Sequence, residues 1–260
     1  MLDLNSMLRM DGKTAIVTGG ASGIGFGIAD FLSKVGVSVA IFDIDEALGK
    51  LKAESLNKNG GNVKFYFCDV ADSLNVKQCV DLVVKDFKNI DFLVNCAGII
   101  RRADVIDLEE KDWDLTMNVA LKGVFLMSKH VIGHMKTNNG GKIVNIGSGW
   151  SIKGGDKAFS YCAAKAGVLN MTRAMAIDHG KDNISINCVC PGDIDTPLLK
   201  IQGAQLGLDV EAFYDSQNDV RPLKGPGTPE DVAHAVFFFL SDLCKWATGT
   251  SLVIDGGGLA

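Results

Sequence analysis

The sequence predicts an α/β protein with one seven-stranded parallel sheet and helices on both faces, and three observations carry that expectation. Short runs rich in Val, Ile and Ala alternate with longer stretches whose apolar residues recur at helical spacing. The 260 residues are 47% hydrophobic and 22% charged with only 5 prolines, a balance that supports a large packed core. No shift in composition marks a boundary, so residues 1–260 read as a single domain.

In chain order, the runs at 13–18 and 37–43 read as strands flanking a helix over 24–35. A strand at 63–68, a helix over 76–87 and a strand at 90–94 follow, then a long helix around 113–135 and a strand at 142–146. A helix over 159–178, a strand at 184–190, a helix opened by Thr228 as N-cap with Pro229 in first position, and a strand at 251–254 complete the set. Parallel strands joined through helices take right-handed crossovers, which gather ligand sites at the carboxyl ends of the strands. Residues 196–227 are too long for an ordinary connection and contain several glycines, so they are expected to carry short helices and form a lid over a substrate site.

Charge and cysteine content exclude several classes. Lys plus Arg total 26 against 31 Asp plus Glu, a net charge of −5 that offers no cationic face for a phosphate backbone, so nucleic acid is not an expected partner. Residues 1–13 mix charges among their apolar residues and lack the core of a signal peptide, and the longest apolar stretch, 235–240, is far short of the roughly 20 residues that span a bilayer. The 7 cysteines are odd in number and contain no CxxC pair, which fits reduced thiols in a cytoplasm better than disulfides or zinc.

Chemistry concentrates at strand ends. The first strand runs into Gly19, Ser22, Gly23, Ile24 and Gly25, where glycines let the backbone turn tightly and approach a pyrophosphate at the next helix's N-terminus. Asp43 ends the second strand, where a carboxylate accepts from ribose hydroxyls and repels a 2′-phosphate, favouring NAD over NADP; a turn residue beside Asp45 is the competing reading. Tyr161 and Lys165 lie four apart in a helical stretch and so share a face, with Ser148 at one strand end and Asn95 to Gly98 at another. Taken alone, such a pair occurs on many helices as a solvated face; in the company of these strand-end residues, a phenol that ordinarily titrates near ~10 beside the Lys165 cation would favour phenolate and could serve as general base in oxidation or general acid in reduction.

Gly19 to Gly25, Asp69-Val70, Asn95 to Gly98, Asn118, Ser148, Tyr161-x-x-x-Lys165, Pro191-Gly192 and Asp255-Gly256-Gly257 together resemble the short-chain dehydrogenase/reductase family, in order and along nearly the whole chain. The resemblance implies a Rossmann-type domain that moves hydride between a nicotinamide cofactor and an alcohol or carbonyl, commonly as a homotetramer or dimer. It implies Ser148, Tyr161 and Lys165 as the reacting set, with Lys165 also on the nicotinamide ribose and Asn118 anchoring a water that links Lys165 to solvent. Asp69 and Val70 would flank the adenine, Asn95, Ala97 and Gly98 the riboses, and Ile194 and Thr196 the carboxamide after Pro191-Gly192. Ser22 and Ile44 stand where NADP-using members often carry Lys or Arg, again favouring NAD.

For the substrate, Asn95 to Arg102 and Glu110 to Asp114 resemble the branch that includes gluconate 5-dehydrogenase and 2-deoxy-gluconate 3-dehydrogenase. Arg101 and Arg102 could hold a sugar-acid carboxylate by forked hydrogen bonds, or form surface or subunit-contact salt bridges. Trp150 and Lys153 follow Ser148 on a segment expected to line the substrate pocket. A sugar acid, ketose or polyol is the expected substrate; a hydroxysteroid or 3-oxoacyl substrate, or a non-catalytic NAD-sensing scaffold, are the alternatives. His130 and His134 read as helix-face residues, Cys188 and Cys190 as small core residues on one side of a strand, and Phe237 to Phe239 as a helix apolar on several sides, buried against the sheet and a subunit partner.

Overall fold

Strand β1 (Thr14–Thr18) is buried at every position, as a strand covered on both faces must be. The computed structural model describes residues 8–209, 212–213 and 221–260, so residues 1–7 of the N-terminal segment and 210–211 and 214–220 of the expected lid lie outside the described residues. Around β1 stand β2 (Ser38–Asp43), β3 (Val63–Phe67), β4 (Phe92–Asn95), β5 (Gly141–Ile146), β6 (Ile184–Pro191) and β7 (Ser251–Ile254). They pair in parallel in the order β3-β2-β1-β4-β5-β6-β7. The chain reverses direction across the sheet between β1 and β4, and an open α/β sheet places its ligand crevice at such a switch point.

Each face of the sheet carries its own core. One holds Ile28 and Leu32 of α1 (Gly23–Lys34), Ala53 and Leu56 of α2 (Glu46–Lys58), and Val232, Val236 and Leu240 of α8 (Pro229–Leu240). The other holds Val76, Val80 and Val83 of α3 (Ser73–Phe87) with Met127, Val131 and Met135 of α5 (Gly123–Thr137). Thr228 caps α8 through Asp231, with Pro229 in the first turn as the sequence predicts.

Helix α2 is absent from the sequence reading for a physical reason. Its buried stripe consists of Gly49, Ala53 and Leu56, so almost no apolar periodicity shows; Gly49 is small because the Phe65 ring lies where a Cβ would be. Its legible signal was the Asp45 N-cap, whose Oδ1 accepts from Leu48 N at 3.0 Å.

The single helix expected around 113–135 is instead α4 (Glu110–Met117), a π-turn at Asn118–Lys122, and α5. In that turn Gly123 N–H donates to the carbonyl of Asn118, five residues back. Helix α6 (Phe159–His179) lies against β6 and buries Ala164, Lys165, Val168, Leu169, Thr172 and Ala176 at helical spacing. After β6, Thr196 caps α7 (Pro197–Gln205), the short helix expected in segment 196–227. The two ends of that segment are tied together: Gly227 N donates to Asp193 O at 3.0 Å and Asp195 N to Gly227 O at 2.9 Å.

Candidate active site

A cleft of about 570 Å³ opens at the carboxyl ends of the strands. At its floor Gly19 has φ +64°, and a Cβ there would sit 2.9 Å from Ala97 Cα, so only glycine lets the turns after β1 and β4 meet. Thr18 Oγ1 fastens the same junction, accepting from Cys96 N at 2.9 Å and Ala97 N at 3.0 Å. Ser22 precedes α1 without a side-chain cap bond, so the first-turn amides stay open toward the cleft, and Gly23, Ile24 and Gly25 line it beside them. Open amides at a helix start behind a glycine turn fit a dinucleotide pyrophosphate. Asp43 lines the cleft and is also a turn residue: Oδ2 accepts from Ala21 N at 3.0 Å and Oδ1 from Asp45 N at 3.1 Å.

Asp69, Val70, Ala97, Gly98, Pro191, Gly192, Ile194 and Thr196 all line the cleft. Asn95 does not. Its side chain is buried, donating from Nδ2 to Asn145 Oδ1 at 2.8 Å and Ser128 Oγ at 3.3 Å, while Asn145 donates to Thr172 Oγ1 at 2.9 Å. In place of the expected position along the riboses, the Asn95 amide nitrogen joins a polar bridge between β4, β5 and α6, while its Oδ1 is buried without a partner. Asn145 escaped the sequence reading, although a polar residue inside the apolar run of β5 was the available signal.

Ser148, Tyr161 and Lys165 all line the cleft. Ser148 follows β5 and caps the turn Gly149–Ser151, accepting from Trp150 N at 3.1 Å, which orients its hydroxyl. Tyr161 and Lys165 rise from the first two turns of α6, and Lys165 Nζ lies 5.6 Å from the Tyr161 ring centre. Lys165 is 3% exposed and donates to Ile146 O at 2.7 Å. Asn118, by contrast, is exposed at the start of the π-turn, and among the described residues no hydrogen bond joins its side chain to Lys165.

Burial pushes the Tyr161 phenol above its ordinary range, with the Ser148 hydroxyl opposing, and burial pulls the Lys165 ammonium down. Desolvation is the largest influence on the phenol, and Lys165 Nζ is turned to the Ile146 carbonyl.

Comparison with known proteins agrees with this geometry. The family described as enoyl-(acyl carrier protein) reductase matches residues 19–258. The chain is 38% identical to 3-oxoacyl-(acyl-carrier-protein) reductase FabG of Thermotoga maritima over 253 residues, covering 96% of this chain and 99% of that one. The chain belongs to the short-chain dehydrogenase/reductase family. It is also 36% identical to secoisolariciresinol dehydrogenase of Forsythia intermedia, covering 96% of this chain and 90% of that one. Levodione reductase superposes with a TM-score of 0.93 at 29% identity, covering 97% and 100%. As a member of the family the chain is an oxidoreductase that uses a nicotinamide cofactor; these relatives do not single out the gluconate branch.

In this short-chain dehydrogenase the substrate end of the cleft separates the two arginines. Arg101 lines the cleft but is paired with Asp112 at 3.1 Å and donates to Ile100 O at 3.2 Å. Arg102 lies in an adjoining recess, its guanidinium 4.9 Å from the Trp150 ring centre, its Nη1 donating to Gln202 Oε1 at 3.2 Å and its buried Nε without a partner. Trp150 lines the cleft and stands edge-on to Tyr161, ring centres 6.0 Å apart. Lys153 lines it too, donating to Gly258 O at 2.9 Å. Asp193, Gln202 and Arg221 were not foreseen on this wall; the one signal was the position of Asp193 directly after Pro191-Gly192. His130 and His134 lie on α5 against Ser73 and Asp81, and no metal-binding cluster occurs among the described residues. Cys188 and Cys190 are buried side by side, sulfurs 3.7 Å apart.

Proposed function

We propose that the protein is an NAD(H)-dependent dehydrogenase that interconverts a secondary alcohol and a ketone on a polyhydroxylated substrate, a sugar acid, ketose or polyol. The observation that carries this reading is the convergence of Ser148, Tyr161 and Lys165 on one end of the cleft. The nicotinamide, when bound, supplies or accepts the hydride. In reduction, the Ser148 hydroxyl donates to the carbonyl oxygen and Tyr161 Oη delivers the proton that makes the alcohol. In oxidation the same phenol, deprotonated, takes the alcohol proton. Lys165 holds the ribose of the cofactor and electrostatically supports the phenolate, and Asn118 holds a water through which Lys165 exchanges protons with solvent.

The remaining cofactor contacts follow the cleft. The amides after Gly19 and around Ser22, Gly23, Ile24 and Gly25 bind the pyrophosphate; Asp69, Val70, Ala97 and Gly98 flank the adenosine; Pro191, Gly192, Ile194 and Thr196 position the carboxamide. NAD is preferred to NADP because Asp43 presents a carboxylate where a 2′-phosphate would stand, with Ser22 and Ile44 offering no cation. Arg102, stacked on Trp150, supports an anionic substrate group, with Lys153 beside it and Arg101 held by Asp112.

Residues 1–260 act as one domain, with 196–227 as its lid. The half-exposed Phe238, the 82%-exposed Ile177 and the fully exposed Trp246 support assembly, a homotetramer favoured. The seven cysteines are all free, which supports a reducing cytoplasm, and no described helix is long and apolar enough to cross a membrane. The resemblance to FabG supports a second reading, reduction of a 3-oxoacyl thioester. Absorbance of the reduced nicotinamide, followed with NAD or NADP against sugar acids, polyols, hydroxysteroids and 3-oxoacyl thioesters, decides between them. Turnover with NADP and acyl thioesters alone would overturn the first reading; cofactor binding without turnover anywhere would favour a sensing scaffold.

A further inference from the structure

The substrate wall contains an ion pair that neither hydride transfer nor cofactor binding uses. Asp193 Oδ2 lies 3.1 Å from Arg221 Nη2, with the two side chains 25% and 5% exposed. Both line the cleft beside Trp150 and Lys153, and on the same wall Asp255 Oδ2 is buried without a hydrogen-bond partner. Tyr161 lines the same cleft, its ring centre 6.0 Å from that of Trp150. Burial pushes the Asp193 carboxyl up, while Arg221, Arg102 and Lys153 draw it down.

A desolvated charge pair on the wall of a substrate cleft is costly to cover with an apolar chain and favourable to cover with hydroxyl groups. We propose that Asp193 is a specificity-determining residue that accepts a hydrogen bond from a substrate hydroxyl, and that Arg221 is the positioning residue that holds it. The ion pair engages Oδ2. The inference rests on the dehydrogenase reading above and adds to it the group that selects a polyol over an acyl chain. Sites built to bind a hydroxyl reject analogues lacking it by up to about 10⁴–10⁵-fold, so even a partial contribution is measurable.

The test follows NADH oxidation with two pairs of probes: L-erythrulose against butan-2-one, and a keto-aldonate against the unhydroxylated keto acid of equal chain length. The wild-type protein is expected to prefer the hydroxylated member by at least about 10-fold in kcat/KM. Asp193→Asn is expected to abolish that preference, chiefly through KM, and to leave the simple ketone within about twofold. Because the single change removes the carboxylate that faces the buried Arg221, the double variant Asp193→Asn/Arg221→Gln is measured alongside it, and Arg221→Lys should restore part of the preference that Arg221→Gln loses. An equal loss on both members of each pair would make the ion pair only a pin for the lid and overturn the proposal, as would an unchanged preference or no wild-type preference. Reduction of acetoacetyl thioester, unaffected by these variants, would show that hydride transfer stands although the polyol site has failed. Silence on every probe despite bound NADH would mean that both readings fail.

Discussion

Tyr161 shows how one residue's surroundings set its role. A phenol raised by burial keeps its proton through the neutral range, so reduction, which uses that proton, should hold a flat kcat/KM up to alkaline pH and then fall. Oxidation needs the phenolate and should rise with pH over the same range; measuring both directions from pH 6 to 11 checks the sign, and an oxidation rate that is maximal and flat at neutral pH contradicts it. Tyr161→Phe should lower kcat by about 10²–10⁴-fold with the far-UV circular dichroism unchanged. The phenol was legible in the sequence through its four-residue spacing to Lys165. Its desolvation was not, because burial depends on what packs around the hydroxyl.

Among the elements, the bridge from Ser128 through Asn95 and Asn145 to Thr172 joins β4 and β5 to the helix that carries Tyr161 and Lys165. Asn145→Ala would leave buried polar groups of Asn95 and Thr172 without their partner and should lower unfolding stability by about 1–3 kcal/mol, measured by urea titration. Asn145→Asp would put an unpaired charge in the same place and should be worse. The π-turn at Asn118–Lys122 is a second element-scale feature; single-turn π segments arise where a helix is locally re-aimed, frequently at functional sites. Apolar periodicity suggested one helix because the inserted turn changes the phase by only one residue.

For the whole molecule, cofactor choice has a readout that needs no substrate. A ligand that binds the folded state alone stabilises it by about 2.7 kcal/mol at 100 times its Kd, so NAD should raise the melting temperature markedly and NADP, at equal concentration, much less. An equal or larger shift with NADP would contradict the role given to Asp43. Light scattering should show a species of four chains, and Trp246→Lys, placed where the side chain is fully exposed in the single chain, should weaken that assembly without lowering the stability of the monomer.

Sequence alone determined the parallel α/β architecture, the glycine turn and the acidic residue that ends β2, each written in local terms as apolar period or a position at a strand's end. It put forward Ser148, Tyr161 and Lys165 as a set through their company in the family's motifs. The neighbours across space were decided only by the tertiary structure. Asn95 sits in a strand-end motif yet turns inward because Asn145 waits on the adjacent strand at the same register. Arg101 and Arg102 are adjacent in the chain, yet one meets Asp112 and the other Trp150. Asp193 and Arg221 are far apart in the chain and meet where hydrogen bonds between Asp193, Asp195 and Gly227 bring the chain back to the end of β6. Local propensity carries no information on such encounters; they arise when the sheet's strand order and the return of the chain at Gly227 to Asp193 bring distant side chains into one desolvated space.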